Sequence, residues 1–196
     1  MLKLLFKLPK QVTVAFSGGV DSSAVVDFLS KKHDVTCAFF NHGTENSDKA
    51  MKFVAQFCTE RNLPMLYGTC RTSKQKDEST EEYWRRERYD FLDQLGTVIT
   101  AHHLDDCVET YIWSSLHGKP KVINSKRGEV LRPFLTTRKS EFISWCKRHN
   151  VPWVDDTSNN DTKFMRNYVR KELMPHALYV NPGLHKVVKN IIQKNF

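Results

Sequence analysis

The sequence predicts an α/β fold: a mostly parallel sheet with helices on both faces, followed by a short C-terminal helical segment. Three observations predict it. The β-branched run Val12-Thr13-Val14 passes through two adjacent glycines into a segment of helical period carrying Ala24, Val25, Val26, Phe28 and Leu29. Short apolar runs recur at 35–40, 63–67 and 97–101, and segments of helical character separate them. Clusters of chemically active side chains follow the ends of these runs, where the ligand loops of a parallel sheet lie.

The chain has 196 residues and is 40% apolar, with 12 Phe and 4 Trp, which suffices for one domain with its own core. We divide it into a main domain, 1–178, and a helical extension, 179–196. Its net charge of +8 fits contact with a polyanion, with a generic basic surface as the plainer alternative. The five cysteines, at 37, 58, 70, 107 and 146, form no Cys-x-x-Cys pair, so zinc or cluster spacing is excluded. Reduced thiols and a cytoplasmic setting follow. Lysines interrupt the apolar start, no cleavage site follows it, and no 18-residue apolar span occurs. Neither a leader nor a membrane anchor is therefore expected.

In chain order, the first strand ends in Ser17-Gly18-Gly19-Val20-Asp21-Ser22. Gly18 and Gly19 allow a tight turn that brings backbone N–H groups to an anion. The following helix, about 22–31, adds its unpaired N–H groups and dipole. No lysine stands where a Walker A loop has one, and the Rossmann glycine spacing is absent. Asp21 either caps the helix or helps to hold Mg²⁺ beside the phosphates. The second strand ends at Phe39-Phe40-Asn41, which flank an adenine ring or belong to the core. Ser47 is the expected cap of a helix to about residue 62, and 63–67 is the third strand.

Residues 71–79 are polar and aperiodic, a surface loop. Thr80 begins a helix in which Glu81 pairs with Arg85 at i,i+4. Arg85 and Arg88 share a face and reach a phosphate, unless the run is only a solvated surface. The strand at 97–101 leads into Ala101-His102-His103-Leu104-Asp105-Asp106-Cys107-Val108-Glu109-Thr110. The carboxylates suit Mg²⁺ or an incoming ammonium, and a histidine suits a phosphate or a proton. One helix needs one cap, for which Asp105 suffices; that leaves Asp106 and both histidines unexplained. Residues 130–135 form a strand-like segment, 138–150 an amphipathic helix and 151–154 an extended piece. A loop rich in Asp, Ser and Asn, 155–161, precedes a basic helix opening near Phe164. The cations of that helix contact RNA backbone or nucleotide phosphates. A basic helix closes the chain over 181–196.

These segments resemble the tRNA(Ile)-lysidine synthetases, N-type ATP pyrophosphatases with a PP-loop. The resemblance rests on Ser17 to Ser22, His42-Gly43, Glu81 with Arg85 and Arg88-Tyr89, Ala101 to Thr110, Arg132 to Leu135, and Asp156, Ser158-Asn159, Arg166-Asn167 and Arg170. Order and spacing agree across about 12–176. The resemblance implies an adenine nucleotide α-hydrolase-like fold and a catalytic domain binding ATP on Ser17, Gly18, Gly19, Val20, Asp21 and Ser22. It implies Mg²⁺ held by Asp21 and Asp105. The partners it implies are tRNA(Ile) with a CAU anticodon and free L-lysine. The C2 oxygen of C34 is adenylated, pyrophosphate leaves, and the lysine amine displaces AMP. Asp106 then meets the amine, His102 and Asp105 lie near the activated base or the metal, and Arg85 and Arg88 face phosphate or the lysine carboxylate.

The chain departs from the pattern in three places. Cys107 replaces a Gln, the segment after Leu116 is short, and the match ends where larger members carry C-terminal domains. Recognition of tRNA is then left to the basic surface or to a homodimer. The rival readings are a tRNA cytidine 2-thiolation enzyme, which needs sulfur-handling cysteines, and a non-catalytic RNA- or nucleotide-binding relic.

Overall fold

The computed structural model describes residues 2–155 and 165–195. Six strands form one sheet in the order β3-β2-β1-β4-β6-β5. They are β1 (Gln11–Ala15), β2 (Asp34–Asn41), β3 (Met65–Thr69), β4 (Val98–Ile99), β5 (Lys126–Arg127) and β6 (Val130–Leu131). All pairs are parallel except β5 with β6. The helices are α1 (Val20–Ser30), α2 (Glu45–Glu60), α3 (Thr80–Asp93), α4 (Leu104–Leu116), α5 (Lys139–His149), α6 (Met165–Tyr168), α7 (Met174–Val180) and α8 (Leu184–Lys194). A π-helical stretch, Val169–Leu173, joins α6 to α7.

Alternation along the strands divides the core between two faces. Val12, Val14 and Phe16 with Cys37 and Phe39 pack against Val25, Val54, Phe57 and Phe142, from α1, α2 and α5. Ala38, Phe40, Val98 and Val130 face the other way, against Tyr89, Phe91 and Leu92 of α3. A third cluster joins Leu104, Cys107 and Val108 of α4 to Met174, Leu184, Val188 and Ile192. The basic closing helix is therefore amphipathic and seats its apolar side on α4. Among the described residues, no helix is long and apolar enough to cross a membrane.

The ends of several elements differ from expectation for local reasons. α2 is capped by the Thr44 hydroxyl, which accepts from the Ser47 N–H, so Ser47 lies inside the helix. β3 starts two residues late. Asn62 takes φ +53°, the Leu63 N–H closes back onto the Cys58 carbonyl, and Pro64 has no N–H to offer. β6 stops at Leu131: Arg132 is followed by Pro133, which has no N–H, and the Pro133 carbonyl accepts from the Leu5 N–H outside the sheet. In α3 the ion pairs run from Arg86 to Glu78 and Glu87, in place of the expected Glu81–Arg85 pair. The Asx-rich loop and the first turn of the basic helix, 156–164, lie outside the described residues.

Candidate active site

β1 and β4 are neighbours, but the chain leaves β1 toward β2 on one side and β4 toward β6 on the other. Their C-terminal ends flank a topological switch point, where open parallel sheets bind ligands. After β1, Gly18 takes φ +82°, and a Cβ there would lie 3.0 Å from Phe53 and 3.2 Å from Val154. Its carbonyl accepts from the Val154 N–H at 2.9 Å and the Ser23 hydroxyl at 3.3 Å. The turn is thus fixed from both sides, and Gly19 enters α1 as an N-cap without a side chain. The Ser22 hydroxyl donates to the Gly19 carbonyl (3.0 Å) and accepts from the Ser17 N–H (3.3 Å). Val20 packs on the core and begins the first turn, whose N–H groups lack intrahelical acceptors.

Asp21 lies one residue inside α1, so it is not the cap. Its Oδ2 stands 3.6 Å from both His103 Nε2 and Lys139 Nζ. Its Oδ1 is buried and has no hydrogen-bond partner. A buried carboxylate oxygen without a donor is costly. This fits a ligand for a hard divalent cation, which takes one or two carboxylates and completes its shell with phosphate and water. Among the described residues, no three His, Cys, Asp or Glu side chains gather into a self-sufficient metal site, so a cation here needs the phosphates as well.

After β4 the cap of α4 is His103, where a carboxylate was expected. Its Nδ1 accepts from the Asp106 N–H (3.3 Å), and Asp106 Oδ2 accepts from the His103 N–H (2.9 Å). That bond needs a bare Nδ1, which assigns the ring proton to Nε2, toward Asp21. Burial opposes the charged imidazole, but Asp106, Asp21 and Asp105 outweigh it and raise the pKa of His103. Asp105 accepts from the Lys139 N–H (2.8 Å) and Arg138 Nε (3.3 Å), and its Oδ1 lies 3.1 Å from His185 Nε2. It ties α4 to the starts of α5 and α8.

Asp106 is buried, and its Oδ1 accepts from Arg166 Nη2 (2.7 Å) and Arg170 Nη2 (3.4 Å). Glu109, one turn on, holds Arg170 in bidentate fashion at 2.6 and 3.1 Å. Burial works against ionisation of Asp106, but His103, Arg166 and His102 hold its carboxyl well below the usual carboxylate range. His102 stands beside this quartet with Nδ1 2.8 Å from the Thr100 hydroxyl. Burial, reinforced by Arg132, Arg166 and Arg88 against Asp106, pushes its pKa down to about 3. His102 is therefore neutral at pH 7 and a weak proton acceptor.

The family model described as the PP-loop domain matches residues 2–177. The chain belongs to the PP-loop family. It is 30% identical to a tRNA(Ile)-lysidine synthase of Thermotoga maritima, over 93% of this chain and 49% of that one. It is 30% identical to the tRNA(Ile)-lysidine synthase of Legionella pneumophila strain Paris, over 89% and 44%. It is also 30% identical to the bifunctional protein TilS/HprT of Listeria innocua, over 97% and 33%. The chain thus spans half or less of the length of these curated relatives. The NH3-dependent NAD synthetase of Campylobacter jejuni shares the fold, with a TM-score of 0.55 at 18% identity over 96% of this chain and 86% of that one.

The PP-loop and the β4–α4 turn bring Ser17, Gly18, Gly19, Val20, Asp21, Ser22, His102, Asp105 and Asp106 to the C-terminal end of the two central strands. Arg88 is half-buried and acts on His102 through its charge, whereas Arg85 is exposed; both lie against the Tyr89 ring. Arg166 and Arg170, expected at the RNA, at nucleotide phosphates or in the catalytic loop region, pair with Asp106 and Glu109, a pairing not foreseen from the sequence. The i,i+3 acids and i,i+4 arginines were the available signal. The sequence reading also missed Lys139, which follows the 132–135 element, and His185, which no spacing foretells. A cavity of about 730 Å³ opens at the N-terminal end of the strands beside Gln11, His33 and Asp34, away from all these groups.

Proposed function

We propose that this PP-loop protein joins lysine to C2 of the wobble cytidine, C34, of tRNA(Ile) bearing a CAU anticodon, converting ATP to AMP and pyrophosphate. One observation carries the reading. A phosphate cradle with an unpartnered carboxylate oxygen and two buried acids paired with two arginines converge on one switch point. The names of the relatives supply the nucleotide and the amino acid.

On this reading ATP lies along residues 17–22. Asp21 Oδ1 is the ligand offered to Mg²⁺, which when bound offsets phosphate charge. Asp105, expected at the metal, already accepts from Lys139, Arg138 and His185, so its part is to hold the start of α5 and with it Lys139 near the cradle. The C2 oxygen attacks the α-phosphorus and pyrophosphate leaves, which makes C2 electrophilic. The deprotonated lysine amine then attacks C2, and AMP departs with the former C2 oxygen. Asp106 is too acidic to take the proton, so it receives the cationic amine in exchange for Arg166, whose side chain is half exposed. The proton passes to water. Neutral His102 offers a hydrogen bond to the base or its adenylate, and Arg88 and Arg85 face phosphate or the lysine carboxylate.

Cys107 does not favour thiolation: it is buried, and burial pushes its thiol up to about 12. Asp106→Asn keeps a capping oxygen and removes the charge. It is expected to lower lysine incorporation by about 10²-fold or more while tRNA-dependent release of pyrophosphate continues. Normal incorporation by this variant would reject the assignment.

A further inference from the structure

Four arginines gather on one ring. Arg127 Cζ lies 4.0 Å from the Tyr89 centroid, Arg85 4.8 Å and Arg88 5.6 Å. Arg132 Nη2 donates to the Tyr89 hydroxyl at 3.1 Å. Arg132 is 4% exposed, and its Nε has no partner. Among the described residues, none of the four pairs with a carboxylate. Like charges gathered without a counter-charge repel one another, and an anion relieves that repulsion.

The cluster is continuous with the candidate active site. The Thr100 N–H donates to the Leu131 carbonyl at 3.0 Å, next to Arg132, and the Thr100 side chain holds His102. In the other direction it runs onto the β5 edge, where Arg127 stands opposite Val130 and Lys126 opposite Leu131. The segment leading to β5 exposes Lys119 and Lys121. It begins beside Trp113, which is 40% exposed and packs on His117 at 4.2 Å.

We propose that this edge, with Arg127, Arg85, Lys126, Lys121 and Lys119 as its contacts, binds the phosphate backbone of an RNA strand whose neighbouring nucleotide enters the crevice. The inference rests on the lysidine reading and names the surface that reading needs. Stacking on Tyr89 leaves the guanidinium forks of Arg127 and Arg85 free to take phosphate oxygens in pairs. Cations spaced along an edge match a row of phosphates better than one compact anion. Trp113 offers a base a stacking face.

The test is fluorescence anisotropy of a labelled CAU anticodon stem-loop with the full chain, over a series of salt concentrations. Two variants are compared with the wild type: Lys126→Ala with Arg127→Ala, and Lys119→Ala with Lys121→Ala. Each should bind more weakly, and the slope of log K against log salt should become shallower by about 0.7 for each phosphate contact removed. Unchanged affinity and slope in both variants would overturn the inference; wild-type binding of the stem-loop would leave the lysidine reading standing. A wild type that binds no stem-loop and releases no pyrophosphate with tRNA would remove both. Displacement of the RNA by poly-glutamate at equal charge would reassign the edge to an acidic protein partner and overturn the RNA proposal.

Discussion

Gly18 and Gly19 are adjacent, and their surroundings separate folding from function. Gly18→Ala puts a side chain at φ +82° and 3.0 Å from Phe53, so chemical denaturation should show a loss of about 1–2 kcal/mol. Gly19 has φ −71°, and a Cβ there meets nothing nearer than Ser17 Oγ at 3.7 Å. Gly19→Ala should therefore keep wild-type stability and weaken ATP binding, because only a phosphate would meet the added methyl. Equal ATP affinity in Gly19→Ala and wild type would remove the phosphates from this turn. His102 carries a second residue-scale prediction. Its folded pKa, about 3, lies below its unfolded value, so the unfolded chain binds the extra proton. Its contribution to stability is complete above about pH 6.5 and is lost as pH falls toward 3. Ring-nitrogen NMR should find His102 neutral at pH 5, and a charged ring there would contradict this.

At the scale of elements, α3 holds its preceding loop through one buried acid. Glu87 accepts from the Thr72 hydroxyl, the Arg71 and Thr72 N–H groups and Arg86. The Thr72 hydrogen bond, over the opposing effect of burial and with help from those donors, holds its pKa down to about 2. This stability is present above about pH 4.5 and is lost as pH falls toward 2. Glu87→Gln should flatten that part of the acid limb in urea unfolding measured from pH 2 to 5. An unchanged limb would mean that the loop is held by other groups. The elements also mark what the sequence made legible. Helical period and the start of α3 at Thr80 were readable because they depend on residues a turn apart. Strand ends were not, since β4 and β6 are two residues long and owe their limits to partners distant in sequence. The cap of α4 escaped because a histidine fills a place usually given to Ser, Thr, Asp or Asn. That substitution frees Asp105 and Asp106 for long-range contacts with Arg138 and Arg166.

For the whole molecule, the order β3-β2-β1-β4 does what no single motif does: it sets two polar turns, some 80 residues apart in the chain, against each other across one crevice. The turns themselves were legible, because glycines and clustered acids stand out after apolar strands. Their closure was not, because it runs through Lys139, His185, Arg166 and Arg170, contributed by helices later in the chain. The net charge of +8 gave no location for a polyanion; the arginines around Tyr89 are the cluster on which the proposed RNA contact rests. The central claim is that the crevice between β1 and β4 adenylates a cytidine and passes it to lysine. Its most direct test is transfer of radiolabelled lysine, with ATP and Mg²⁺, to tRNA(Ile) carrying a CAU anticodon, beside the same tRNA with C34 replaced. The account predicts label on the first tRNA alone, with one pyrophosphate released per lysine joined. Absence of label while tRNA-dependent pyrophosphate release persists, or equal label on both tRNAs, would contradict it.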